Sequence, residues 1–141
     1  EVDYAGWIFG WPHAVMAQAK NFGRLGIDAE EVAEVSWEAP RGGVVSVHLD
    51  YLTRPPRRRM TAFGSQGTIE WDGIVQRVTV SFADRPPLSV SCSQTRDDMF
   101  LAQAQAMLAA CEGSVDPRLA TGEDGQRALA ICDAARQAAL T

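Results

Sequence analysis

The sequence has few cysteines and none of the spacings that cysteine chemistry requires. Its 141 residues include three cysteines, Cys92, Cys111 and Cys132, which lie far apart and form no CxxC pair. A disulfide framework or a zinc site is therefore not expected, since both depend on closely patterned ligands or pairs. The pattern favours buried, unreactive thiols and a reducing, cytoplasmic location.

The sequence also has no long hydrophobic run and no excess of positive charge. No apolar segment approaches the roughly 18–20 residues of a membrane span, and no basic segment followed by an apolar one opens the chain. The formal net charge of −5 disfavours a general binder of nucleic acids or anionic membranes. We therefore expect neither nucleic acid nor membrane as a partner.

Length and composition are those of one soluble domain. Hydrophobic residues make up 46% of the chain and charged residues 22%, which is ordinary for a globular protein. A chain of this size buries about two thirds of the surface that it exposes when unfolded, so it can fold without disulfides or metals. We predict a single domain spanning residues 1–141.

Residues 31–51 predict two antiparallel strands joined by a tight turn. Apolar and polar side chains alternate between residues 31 and 38, as expected of a strand with one buried face. A turn containing Gly42 and Gly43 leads into a second alternating segment, which favours a β-hairpin. The side chains predicted to point inward are Ala33, Val35, Trp37, Val45, Val47, Leu49 and Tyr51.

Shorter segments on both sides of this hairpin are predicted to complete the fold. Residues 13–22 have a weaker strand pattern, and further strands are predicted at residues 59–63, 68–71, 74–82 and 88–92. Helices are predicted at residues 1–10, 95–113 and 121–139. Strands followed by helices predict an α+β fold, with an open, mainly antiparallel sheet of about five or six strands and helices on one face.

The outward side chains of the hairpin are candidates for a subunit interface. They could face water, as antiparallel sheets allow, or they could meet a second copy in a homo-oligomer. His48 and Asp50 lie on one face within about 7 Å of each other, but one strand cannot place Ser46, His48 and Asp50 in a catalytic triangle. The interface candidates are Glu34, Ser36, Ser46, His48 and Asp50.

A cluster of arginines follows the hairpin and is the densest local charge in the sequence. Arg54, Arg57, Arg58 and Arg59 surround Pro55-Pro56. Arginines suit phosphate and carboxylate groups, so one hypothesis is a stand-alone module that binds an acidic small molecule with this loop and the open sheet face. The alternative is protection of a strand edge, with the arginines paired to Glu34, Glu38 or Glu70.

Four segments together resemble one enzyme family. They are EVDYAGWIFG at the start, GGVVSVHLDYL, RRRMTAFGSQGTIEWD, and GEDGQRALAICDAA near the end. In this order they resemble the carboxyl-terminal half of the glucose-fructose oxidoreductase, inositol dehydrogenase and rhizopine-catabolism family, Gfo/Idh/MocA. The similarity extends over nearly the whole chain.

This resemblance implies a parent enzyme that transfers a hydride between NAD or NADP and a sugar, polyol or related carbohydrate. In the family, an amino-terminal Rossmann domain binds the cofactor and the second domain supplies the substrate-side wall and the oligomer interface. The sequence has no G-x-G-x-x-G motif and no Glu-Lys-Pro segment. We therefore predict no catalytic, cofactor-binding or metal-ligating residue in this chain, which alone would be inactive.

The resemblance also nominates residues near the substrate. Asp3 matches the acidic residue of the family's His-x-x-Asp pattern, and Tyr51 could line a sugar pocket or be a buried sheet aromatic. Independently of the resemblance, the charge of the basic loop makes Arg54 and Arg57 candidates for contact with an acidic substrate. Because the first residue is Glu1 and the first helix has no N-cap residue, we expect a fragment of a longer protein that lacks its Rossmann domain.

Overall fold

The computed structural model describes residues 1–140 and divides them into two compact units. Unit 1 comprises Glu1–Leu52 together with the described residues from Ala120 onward, and unit 2 comprises Thr53–Leu119. The assignment of residues 1–141 to one domain stays a prediction. No helix in the described part of the chain has the length and hydropathy to cross a membrane.

Unit 1 consists of a three-stranded antiparallel sheet and two helices. Its elements are α1 (Val2–Phe9), β1 (Met16–Lys20), β2 (Val32–Glu38), β3 (Val44–Asp50) and α3 (Gly122–Ala139). The strands pair in the order β1-β2-β3, and the predicted alternation holds because Val35, Trp37, Val45 and Val47 are all buried on one face. Helix α3 packs against β1, and α1 contacts both α3 and β3.

The core of unit 1 is built around Trp37. Its side chain is 2% exposed and clusters with Ala5 of α1 and Ala135 of α3. The indole Nε1 donates a hydrogen bond to the carbonyl of Gly10, 3.2 Å away, which ties the end of α1 to the sheet. A side chain at Gly6 would lie about 2.5 Å from the ring of Trp11, so α1 requires glycine there. The buried tryptophan and the close approach at Gly6 together fix α1.

Unit 2 consists of a four-stranded antiparallel sheet and one helix. The strands β4 (Arg59–Gly64), β5 (Gly67–Asp72), β6 (Arg77–Phe82) and β7 (Leu88–Ser91) pair in chain order, and α2 (Arg96–Cys111) follows. A side chain at Gly67 would meet the Ser81 carbonyl at 2.1 Å, so the β5–β6 pairing requires glycine there. No residue of unit 2 is buried, and this holds for every position from Thr53 to Leu119.

The predicted α+β class and the antiparallel pairing are confirmed. The structure adds that seven strands divide into two sheets of three and four, whereas the sequence suggested one sheet of about five or six. Residues 51–58 interrupt the succession, because Pro55 and Pro56 have no N–H with which to pair a strand. Helices pack on the sheet of unit 1 as expected, but α2 buries none of its residues.

Three local predictions are wrong. Tyr51 was expected inward, but it follows the end of β3 and is 62% exposed. The strand predicted from Ile74 begins at Arg77, because the Asp72 carboxylate accepts the N–H groups of Ile74 and Val75 and holds them in a turn. The prediction that the thiols are buried is also wrong, since Cys92 and Cys111 are exposed and Cys132 is only half-buried.

Candidate functional site

Strands β2 and β3 bring three titratable side chains together on the uncovered face of unit 1. Glu34 and His48 are direct cross-strand partners, and His48 Nδ1 lies 2.5 Å from Glu34 Oε1. His48 Nε2 lies 3.1 Å from Asp50 Oδ2. The register of one antiparallel pair therefore places a histidine ring between two carboxylates, as strand alternation requires of residues 48 and 50.

This arrangement favours the protonated imidazole. A neutral imidazole has one N–H and can donate to only one of the two carboxylates, whereas the imidazolium donates to both. The hydrogen bond to Glu34, followed by that to Asp50, raises the pKa of His48 above its ordinary value. About half of the His48 and Glu34 side chains is exposed, so solvent screens the interaction.

The two predicted serines extend this polar face. Ser36 and Ser46 are cross-strand partners, one step along the sheet from the Glu34–His48 pair. Asp50 closes the row, where its Oδ1 accepts the N–H of Leu52 at 2.6 Å and turns the chain out of β3. The five interface candidates therefore lie on one continuous polar surface, and their role as an interface stays a prediction.

The opposite face of the sheet in unit 1 borders a cavity of about 310 Å³. Small side chains leave this space open, since alanines at positions 17, 19 and 33 on the sheet face Ala135 and Cys132 on α3. Tyr51, Glu30 and Arg136 contribute polar groups to its lining, and Arg136 Nε lies 3.6 Å from Glu30 Oε1. The cavity is mainly apolar with a charged border, which is a common form for small-molecule sites.

Glu31 also borders the cavity and is the one fully buried acid among the described residues. Its Oε2 accepts the N–H of Phe22 at 2.8 Å, and its Oε1 accepts the N–H of Leu25 at 2.6 Å. Backbone amides therefore satisfy a carboxylate that would otherwise be costly to bury. Glu31 holds the loop between β1 and β2 in place beside the cavity.

The candidates near the substrate are divided between the two units. Asp3 is exposed in the first turn of α1, and Tyr51 lines the cavity. Arg54 and Arg57 belong to unit 2, where both are exposed and Arg54 Nη1 donates to the carbonyl of Thr53. Their substrate role stays a prediction.

The neighbouring arginines have structural contacts within unit 2. Arg59 Nε donates to Asp72 Oδ2 at 3.0 Å across β4 and β5, so its partner is not one of the glutamates considered from the sequence. The Arg58 guanidinium lies 5.5 Å from the ring centre of Trp71, in a cation–π contact. At least half of the basic cluster therefore stabilises its own sheet.

The sequence analysis missed three residues at the cavity. Glu31, Cys132 and Arg136 come together only through the packing of α3 against β1. The one sequence signal for this region is a stripe of small side chains along α3, which includes Ala128, Ala135 and Ala139. Such a stripe indicates close packing but not a cavity.

Comparisons with known proteins identify the fold. The model of the GFO/IDH/MocA C-terminal domain matches residues 1–70. The UDP-N-acetylglucosamine 3-dehydrogenase GnnA from Acidithiobacillus ferrooxidans is 22% identical, with a TM-score of 0.82 over 97% of this chain and 43% of its own. No curated protein matches the sequence.

Two further solved structures have the same fold. An oxidoreductase from Agrobacterium radiobacter, solved with NAD+, L-tartaric acid and magnesium, is 22% identical with a TM-score of 0.81, over 99% of this chain and 44% of its own. Aldose-aldose oxidoreductase from Caulobacter crescentus is 21% identical, with a TM-score of 0.80 over 99% of this chain and 42% of its own. This chain spans less than half the length of these proteins. Its residues 1–70 match the Gfo/Idh/MocA C-terminal domain, and its described residues share the fold of these solved structures.

Proposed function

We propose that this chain is the substrate-side and oligomerisation domain of an NAD(P)-dependent oxidoreductase that acts on a sugar, polyol or related carbohydrate. The observation that carries the proposal is the family match over residues 1–70. It is supported by the fold shared with proteins whose names specify a UDP-sugar dehydrogenase and an aldose oxidoreductase. The cofactor would be held by a Rossmann domain outside this chain.

Part of the substrate would bind in the cavity of unit 1. Tyr51 offers an aromatic surface and a hydroxyl, and Arg136 and Glu30 offer charged hydrogen-bonding groups beside an apolar wall. Carbohydrates combine apolar ring faces with hydroxyls, and such mixed surfaces fit them. Asp3, at the start of α1, would contact the substrate or orient its neighbours.

The polar face of unit 1 would be an oligomer interface. Glu34, Ser36, Ser46, His48 and Asp50 form a surface that α1 and α3 leave uncovered, because both helices pack on the opposite side. In a symmetric dimer, this surface of one copy would contact the same surface of the second copy.

Cofactor titration tests the proposal. NADH or NADPH added to the purified chain should give no saturable change in fluorescence. A positive control is a longer protein of the family that includes a Rossmann domain, in which the same titration should saturate. Micromolar affinity of this chain alone for either nucleotide would contradict the division of roles.

The second candidate function is a stand-alone module for an acidic ligand. Arg57 is exposed on the loop before β4 and could contact phosphate or carboxylate. Calorimetry with a sugar phosphate and its unphosphorylated sugar separates the two functions. Tight binding of the phosphate alone, lost in Arg57→Glu but kept in Arg41→Glu, would favour the module.

A further inference from the structure

His48 connects a neighbouring strand of unit 1 to the turn that follows its own strand. Its Nδ1 lies 2.5 Å from Oε1 of Glu34 on β2, and its Nε2 lies 3.1 Å from Oδ2 of Asp50, two residues further along β3. The other oxygen of Asp50, Oδ1, accepts the N–H of Leu52 at 2.6 Å. Asp50 therefore links the histidine ring to the backbone turn through which the chain leaves β3.

This turn borders the cavity of unit 1. Tyr51 is its middle residue, and the N–H of Tyr51 donates to the carbonyl of Glu31 at 3.0 Å. Asp50, Tyr51 and Glu31 all line the cavity. Hydrogen bonds on both sides therefore fix the position of Tyr51 at this border, and the one to Leu52 depends on Asp50.

The two contacts of His48 require its charged form. A neutral imidazole has one N–H, so it donates to one carboxylate and turns a lone pair toward the other, whereas the imidazolium donates to both. The contact with Glu34 is the shorter one, so the proton that leaves is the one on Nε2. It passes to water, because about half of the His48 side chain is exposed. Nε2 then presents a lone pair to the Asp50 carboxylate, which it repels.

The other charged groups on this face of the described sheet are acidic or distant. Strand β2 contributes Glu34 and, further along, Glu38. Strand β1 contributes Lys20, which pairs with Val32, the partner of Asp50. Lys20 therefore lies two strands from Asp50, about 10 Å away. Because α1 and α3 pack on the opposite face, the donor that His48 loses is not replaced from the sheet or from these helices.

We propose that His48 is a proton-controlled latch for the turn at residues 50–52, which holds the turn when the ring is charged and releases it when the ring is neutral. Histidine is the side chain whose charge changes near physiological pH, which suits it to this task. The hydrogen bonds to Glu34 and Asp50 raise the pKa of His48 above its ordinary value, so release occurs above the pH at which an ordinary histidine loses its proton.

Release of the turn loosens Tyr51 at the border of the cavity. The affinity of the cavity for its ligand should therefore fall as the pH rises through the pKa of His48. This consequence rests on the substrate role proposed above for the cavity, whereas the latch itself depends only on the contacts of His48 and Asp50.

Amide exchange of the full 141-residue chain, followed by nuclear magnetic resonance, tests the latch. The measured quantity is the protection factor of the Leu52 amide, which corrects for the pH dependence of intrinsic exchange. We expect it to fall about fivefold between pH values below and above the titration midpoint of His48, because the hydrogen bond to Asp50 weakens. His13→Gln removes the other histidine of the chain and should show the same fall.

Two variants at His48 fix the latch in its two states. His48→Gln is neutral at both pH values, so Leu52 should have the low protection at both. His48→Lys is charged at both, so Leu52 should keep the high protection at both. Because about half of the His48 side chain is exposed, both variants should fold, and circular dichroism checks this. Ser46→Gln, on the same face of β3, is the matched control and should retain the fivefold fall.

The contrary outcomes are distinct from failure of the proposed function. Protection of Leu52 that stays constant while His48 titrates would overturn the latch, and so would a pH-dependent fall that persists in His48→Gln. Both results leave the substrate role of the cavity unaffected. A carbohydrate that shifts no cavity resonance at either pH would instead contradict that role alone.

Discussion

The two units of this protein both consist of an antiparallel sheet and helices, but they differ in how far the side chains of these elements are buried. Unit 1 covers its sheet with α1 and α3 and encloses Trp37, whereas unit 2 leaves all of its side chains at least partly exposed. They also differ in formal charge, −6 against +1. The covered sheet gives unit 1 a buried core, whereas the sheet of unit 2 leaves its apolar side chains partly exposed.

The largest effect should come from removing the core tryptophan of unit 1. Trp37→Ala deletes a side chain that is 2% exposed, and such a cavity typically costs about 3–5 kcal/mol of unfolding free energy. Trp71→Ala in unit 2 removes a half-buried ring and should cost less than half as much. Urea denaturation followed by circular dichroism measures both variants. Equal losses would show that unit 2 has a core of the same quality.

Loss of the buried carboxylate should have the next largest effect. Glu31→Ala leaves the N–H groups of Phe22 and Leu25 without their acceptors, and each unsatisfied group costs about 1–3 kcal/mol. Glu31→Gln keeps one acceptor oxygen and should be milder. Hydrogen exchange at these two amides should accelerate in the alanine variant. Unchanged exchange would mean that the carboxylate does not hold this loop.

The two capping boxes offer a matched comparison between units. Thr95 caps α2 with Asp98, and Thr121 caps α3 with Asp124, in identical hydrogen-bonding patterns. Thr121→Ala should lower global stability by about 1 kcal/mol, because α3 packs on the sheet. Thr95→Ala should fray α2 while leaving the denaturation midpoint of unit 1 unchanged. A larger global effect from Thr95 would show that α2 is packed as firmly as α3.

The smallest effect should be the pH dependence of the His48 cluster. The pKa of His48 is raised in the folded state, so its contribution to stability is fully present below the unfolded pKa and is lost as pH rises through the folded value. Nuclear magnetic resonance titration should show a His48 pKa above the ordinary value for histidine. Glu34→Gln should lower the pKa of His48, because it removes the carboxylate that contributes most to the raised value. A His48 pKa that does not respond would mean that the contact with Glu34 does not form in solution.

Local sequence patterns predicted most helices and strands, because the formation of these elements depends largely on residues that are close in the sequence. The alternation around Trp37 acts within one strand and is present in the structure, and α2 lies within the helix predicted at residues 95–113. The buried role of Glu31 could not be predicted, because its amide partners belong to a loop that only tertiary packing brings close. The absence of buried residues in unit 2 could not be predicted either, because alternation does not reveal whether the apolar side of a strand is covered.

Hydrogen exchange of the whole chain tests the contrast between the units most directly. We predict that amides of β2 and β3 exchange slowly, because their strands pack around the buried core of unit 1, and that amides of β5 and β6 exchange faster, because no residue of unit 2 is buried. Equal protection of both sheets would contradict the view that the units differ in how well their sheets are buried.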